Sequence, residues 1–355
     1  MTRRRSLIGL LLLAGLLLAG CWDMHDISDR TPVIGVGYDH LESGRWRVTI
    51  SEATLPQGGA SSYQGVIHTG DGATLTEATE DLRRHLARGL YLGSAKVFVL
   101  GLAVMQTRSR EVLLTLLQRQ EIDKTAYVIG TRGTAEALLA KPDGVMGVTA
   151  VRLLKEFEVH PQTRDGEVPE EVWQTERGAL DTEDTLRMPV FDTLPATSVA
   201  QTGTALIRAD RLRTVLDPEE SATLRWLANL PGRHAMVLDP PLQAYVLKMT
   251  RVHTAASYDG SRRHLSLRIA ADGEVYAAPD MNLTSTVVRT LSQAGAETIT
   301  RRVLALTRKM QEAGADGPMW REVAVEAGYS DFDLGRTTVS VQTRVHLLPS
   351  FAPSA

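Results

Sequence analysis

Four groups of residues in this sequence could do chemistry: one cysteine, nine histidines, an acid-rich stretch and a short basic run. Cys21 is the sole thiol, so neither an intramolecular disulfide framework nor a Cys-rich zinc or iron–sulfur site can form. The histidines are scattered, with none spaced four apart as a helix-borne metal pair requires. Glu167, Glu170, Glu171, Asp181, Glu183 and Asp184 crowd a segment broken by Pro161, Pro169, Pro189 and Pro195. Paired carboxylates can do acid–base work, but no apolar frame surrounds these, and the segment reads as solvated. Arg262, Arg263 and His264 sit beside a turn signal and read as a surface turn. No nucleophile elbow, H-E-x-x-H, Walker A or kinase pattern occurs. Gly35-Val36-Gly37 lacks the third glycine of a dinucleotide fingerprint, and Gly130-Thr131-Arg132-Gly133 lacks a following lysine. We therefore expect no enzyme and no cofactor, and nominate no catalytic or metal residue. With 39 basic against 42 acidic residues, the chain lacks the basic excess of a nucleic-acid binder.

The position of the cysteine is more informative than its number. Arg3, Arg4 and Arg5 form a positive start, and an apolar run follows from Leu7 to Gly20. As a helix that run rises about 21 Å, short of the roughly 30 Å hydrocarbon core of a bilayer. It reads as the hydrophobic part of a signal peptide. The run ends in Leu18-Ala19-Gly20-Cys21, which resembles a bacterial lipobox. The resemblance implies cleavage between Gly20 and Cys21 and a diacylglycerol thioether on Cys21. Two acyl chains suffice for stable anchoring where one does not.

The rest of the chain must supply the body. Residues 44–51 alternate, with Trp46, Val48 and Ile50 against Arg45, Arg47 and Thr49, the period of a half-buried strand. Residues 56–65, with Pro56, Gly58, Gly59 and Gly65, read as a loop. Thr74-Leu75-Thr76-Glu77 fits a capping box that opens a helix through Ala78, Leu82 and Leu86. Strands are expected at 96–100 and 126–129, and helices at 111–118 and 135–139. This alternation argues for an α/β unit. Residues 160–198 read as a linker or extended surface segment. Beyond it we expect a strand at 203–207, a helix at 217–230 with Pro218 in its first turn, and strands at 245–252 and 265–269. Asp272-Gly273 has the form of a hairpin turn leading into Val275. Val288, Leu291, Gly295, Ile299, Val303, Leu306 and Met310 form one helical stripe between a Ser285 cap and a Gly314 stop, and that stripe reads as core. Val339, Val341, Val345 and Leu347 alternate in a last strand. The fold class is α+β or mixed α/β and multi-domain. We expect a signal peptide at 1–20 and an N-terminal α/β part at 21–198 ending in the linker. The C-terminal part, 199–355, is expected to be a mixed sheet packed with the long amphipathic helix.

Cys21-Trp22-Asp23-Met24-His25-Asp26-Ile27, followed by Val33 and Gly37-Tyr38-Asp39, resembles the start of the Ger(x)C spore germination lipoproteins. Tyr38 stands for the usual Ile and Asp26 for the usual Glu. Further matches are Leu92-Gly93-Ser94-Ala95-Lys96-Val97 with Gly101, Arg119-Gln120-Glu121-Ile122-Asp123, Gly203-Thr204-Ala205 with Glu220-Ser221, and Gln311-Glu312 with Ala315-Asp316. Ser94 stands where the family often has His. The resemblance implies a palmitate-type lipoprotein that is the C subunit of a nutrient germinant receptor. It implies integral-membrane A and B subunits as partners and the outer face of the spore inner membrane as the location. The roles of Trp22, Asp23, Asp26, Ile27, Gly37 and Asp39 in that motif are unassigned. The competing reading is a solute-binding lipoprotein of a transporter, which normally has two doubly wound lobes.

Overall fold

The computed structural model describes residues 30–54, 62–158, 169–194, 199–230, 234–278 and 283–348. The first part is built on β1 (Val33–His40), β2 (Trp46–Thr54), β3 (Gln64–Gly72), β4 (Val97–Leu100), β5 (Tyr127–Gly130), β6 (Thr185–Thr193), β7 (Val199–Arg208) and β8 (Arg211–Leu216). They lie side by side in the order β8-β7-β6-β5-β4-β1-β2-β3. Strands β1, β4, β5 and β6 are parallel neighbours, and antiparallel strands extend the sheet at both sides. The helices of this part are α1 (Leu75–Arg84), α2 (Leu102–Thr107), α3 (Ser109–Gln118), α4 (Ala135–Ala140), α5 (Thr149–Glu158) and α6 (Glu176–Leu180).

Strand periodicity sorts the central side chains between two cores. Phe98, Leu100 and Val128 face one side with Leu82 of α1 and Val112 and Leu116 of α3. Val97, Val99 and Ile129 face the other with Leu139 of α4 and Phe157 of α5. Both faces are covered, so β4 is a continuous apolar run, as parallel strands between helix layers must be.

In the second part, β9 (His234–Val237), β10 (Val246–Asp259), β11 (His264–Ala277) and β12 (Thr338–Leu348) form a sheet in chain order. β11 and β12 are parallel, and the crossover between them contains α8 (Ser285–Ala313) and α9 (Trp320–Glu326). Leu291, Ile299, Val303, Leu306 and Met310 of α8 are buried against the sheet with Leu265, Leu267 and Ile269. The stripe is core, as expected. Thr284, one residue before the expected cap, closes the helix start by accepting from the Val287 amide. Gly314 ends the helix in the left-handed conformation, φ +68°. Among the described residues, no helix covers the opposite face of this sheet, where Arg268 and Ala270 are exposed. Between the parts, α7 (Pro218–Leu227) has Pro218 at its first turn and an Asp217–Glu220 capping box. Its Leu224 and Trp226 join Leu206 and Leu216 of the first sheet to the second core.

The described structure departs from the sequence reading in four places. The stretch read as a linker contains β6 at the centre of the first sheet, with Met188, Val190 and Phe191 buried. Pro189 hid it, because a proline normally argues against an inner strand. The acids Glu170 and Glu171 pair with β5, and Glu176–Leu180 is helical. Gln64 and Gly65, at the end of the stretch read as a loop, open β3, whose glycines at 65, 70 and 72 let α1 and Val148 press on the backbone. Asp272-Gly273 makes no turn and stays within β11, opposite a bulge at Thr250 of β10. Finally, β7 and β8 belong to the same sheet as β1, so hydrogen bonding continues across the 198/199 boundary.

Candidate functional site

Several of the described residues that carry the family resemblance gather at three places. The first is the end of the central sheet where β1 begins. There Ser94 Oγ donates to the Val33 carbonyl at 3.0 Å and the Lys96 amide donates to the Ile34 carbonyl at 2.8 Å. Lys96 Nζ donates to Asp123 at 2.5 Å, and Arg119 pairs with Glu121 at 3.4 Å. The Asp123 carboxylate also accepts from the Thr125 amide and hydroxyl, at 2.9 and 2.8 Å. The Lys96 ammonium, then the Thr125 donors, hold its carboxyl down at about 2. Lys124 covers the last carbonyls of α3, reaching Leu116 and Arg119 at 2.7 and 2.6 Å. Burial lowers its pKa. Arg30, the first described residue, lies 4.2 Å above the Tyr91 ring. Two motif segments far apart in sequence thus clasp the strand by which the chain joins the sheet.

The second place is the opposite end of β1. Asp39, 3% exposed, accepts from the amides of Ala135 and Glu136 at 2.7 and 3.0 Å, closing the start of α4 from a remote strand. Burial pushes its carboxyl up, and the two amides pull the other way. A side chain at Gly101 would collide with Asp39 Oδ1, and one at Gly37 would come within 2.8 Å of the Ala135 methyl. Gly37, Asp39 and Gly101 are therefore one packing unit, which gives two motif residues a structural role. Beside them Arg47 makes a bidentate pair with Asp71, 2.8 Å for each bond, and reaches Glu136 at 2.7 Å. These bonds raise the Arg47 pKa and lower that of Asp71.

The third place is the seam between the two parts. Asp316, 7% exposed, donates its amide to Thr185 Oγ1 at 2.9 Å. Its carboxylate meets Arg321 at 2.9 Å and Arg208 of β7 at 3.4 Å, while burial raises its pKa. Arg177 adds a pair to Asp184 at 2.9 Å and another to Glu322.

Sequence reasoning missed Arg47, Asp71, Glu136, Arg208 and Arg321. It also set aside Thr131 and Arg132, whose donors converge on Asp192 at 2.8–3.0 Å. Pairs such as Lys96–Asp123, 27 positions apart, leave no local pattern. Arg263 and His264 do border a turn, and the His264 ring is bracketed by Thr338 and Ser340 at 2.8 and 2.9 Å. Gly20, Cys21, Trp22, Asp23, Asp26 and Ile27 lie outside the described residues. Among the described residues, no three His, Cys, Asp or Glu side chains group to hold a metal ion, and no helix is long and apolar enough to cross a membrane. The three places consist of ion pairs, capped amides and close glycine contacts, which position elements against one another.

An α/β part clasped at the start of its first strand and joined through a buried aspartate to an α+β part defines a two-part mixed α/β protein. The chain belongs to the GerAC-like spore germination proteins. Residues 23–191 match the spore germination protein N-terminal domain, and residues 202–327 match the spore germination B3/GerAC-like C-terminal domain. The division between these two matches falls near residue 198, although the sheet runs on to residue 216. A curated relative, spore germination protein B3 of Bacillus subtilis (strain 168), is 28% identical over 131 residues, 36% of this chain. That match spans about a third of the relative's length (34%). The crystal structure of the GerBC protein shares the fold, with a TM-score of 0.54 and 15% identity over 88% of this chain and 97% of that one.

Proposed function

We propose that this chain is the lipid-anchored C subunit of a spore nutrient germinant receptor. The observation that carries the reading is the succession of both germination domains, in order, over residues 23–327. In this reading the precursor is cleaved between Gly20 and Cys21, and Cys21 carries the lipid. The body stands on the outer face of the spore inner membrane with integral-membrane A and B subunits, and its work is binding and assembly, not catalysis. The polar clasp at the start of β1 supports the anchor. Eight residues separate Cys21 from Arg30, so the tether spans at most about 30 Å. An ordered clasp at that point would pass a pull on the lipid directly into the central sheet.

The test combines a Cys21→Ala chain with a membrane pull-down from dormant spores. The intact protein should bring down two integral-membrane germination subunits. The variant should leave the membrane fraction and abolish the nutrient response. Recovery of a transporter permease, or a normal nutrient response from Cys21→Ala, would sink the reading in favour of a solute-binding lipoprotein.

A further inference from the structure

We propose that the free edge of β12 is a docking site for an extended, acidic segment of a partner protein, which joins the second sheet as a fifth strand. β12 is the outermost strand of its sheet, and among the described residues nothing pairs with its outer side. Of the edge strands, β9 has 4 residues, β8 has 6, β3 has 9 and β12 has 11. At about 3.3 Å per residue, β12 presents roughly 36 Å of backbone with alternate amides and carbonyls unpaired. Folded proteins usually shorten, kink or cover such an edge.

This edge lies between two hollows. On the helix side, Ala296, Thr300, Leu304 and Arg308 of α8 and Thr343 of β12 line a groove of about 570 Å³. On the other side, Ala255, Arg268, Ala270, Gln342 and Arg344 line one of about 550 Å³. Thr343 borders both. Side chains along a strand alternate between faces, so an added strand would deliver them in turn to the two hollows, as in β-augmentation. Alanines supply the room on both sides, and Leu304, 40% exposed, supplies an apolar wall.

Charge selects the occupant. Arg268, Arg308 and Arg344 are exposed and have no carboxylate within ion-pair distance among the described residues. Arg301 in the helix-side groove is already tied to Asp239, and Glu297 is the one acid among the described lining residues. Guanidinium groups are suited to carboxylates and repel a basic strand. A second copy of this chain fits poorly: antiparallel pairing of two β12 edges about Val345 would set Arg344 against His346 of the other copy, and pairing about Arg344 would set the two arginines against each other. A lone charge on an edge keeps other strands away; arginines flanking an open groove on both faces admit an acidic one.

The inference concerns this surface alone and can be tested without the receptor. The full-length chain in detergent is titrated with a fluorescent peptide of alternating Glu and Val, and with its Lys and Val counterpart. The Glu peptide should bind saturably and slow amide exchange over residues 338–348. Arg308→Glu with Arg344→Glu should weaken it at least about tenfold. Leu304→Glu, which blocks the groove by a different route, should do the same, with unchanged circular dichroism. Absence of saturable binding to about 1 mM, equal binding of the Lys peptide, or protection elsewhere would overturn the proposal. So would arginine variants that lose binding to phosphatidylglycerol vesicles but keep the peptide, because the face would then be a membrane contact.

Discussion

The two sheets of this protein are built to different rules. The first is covered on both faces, so its inner strand β4 is wholly apolar and every residue of it is buried. The second is covered on one face, and β11 alternates between buried Leu265, Leu267 and Ile269 and outward Ser266, Arg268 and Ala270. A sheet buried on both sides gains stability from packing on either face and spends its polar groups on internal locks. A sheet with one open side keeps polar groups free, and has a surface to offer.

The largest expected effect tests that contrast directly. Phe98→Ala, in β4, empties a fully buried site and should cost about 3–5 kcal/mol, while Arg268→Ala on the open face of β11 should stay within about 0.5 kcal/mol. Urea unfolding of both variants checks this. Similar costs would mean the open face is not open. Next, Gly101→Ala pushes a methyl group into the Asp39 carboxylate that closes α4. We expect a loss of about 1–3 kcal/mol, measured by thermal unfolding, and partial recovery when Asp39→Ala removes the collision.

The smallest effect sharpens the comparison at the clasp. The folded Asp123 carboxyl sits at about 2, below the unfolded value near 3.9. Its contribution is therefore present above about pH 4 and is lost as pH falls toward 2. The stability gap between the native chain and Asp123→Asn should be within about 1 kcal/mol at pH 6 and close on acidification. A gap that does not change with pH would mean that Lys96 and Asp123 do not pair in solution.

The second sheet was more legible in the sequence than the first, for the same physical reason. One-sided burial imprints a period of two, which exposed β11 and β12 through residues such as Leu265 and Val345. The stripe from Leu291 to Met310 revealed α8 in the same way. Two-sided burial imprints no period, and two of the first sheet's strands were masked by their own residues, β6 by Pro189 and the start of β3 by Gly65. Asp272-Gly273 imitates a turn because the pair suits one wherever the chain is free to bend, and here pairing with the strands on either side holds it within β11. The motif residues could be nominated by resemblance. That Asp39 caps α4, that Asp123 holds Lys96 and that Asp316 seals the seam could not, since each bond joins segments brought together only by the fold.

The parallel pairing of β11 with β12 has a consequence for how the protein forms. About 60 residues, including all of α8, separate the two strands and must be ordered before they meet. Closing so long a loop delays pairing more than it weakens it. β12 is also the last described strand to be synthesised. The second part should therefore assemble late, with the inner flank of α8 temporarily bare where Val345 and Leu347 will lie. During that interval a chaperone, or a neighbouring subunit made at the same time, would meet an unfinished hydrophobic surface that the mature protein no longer shows.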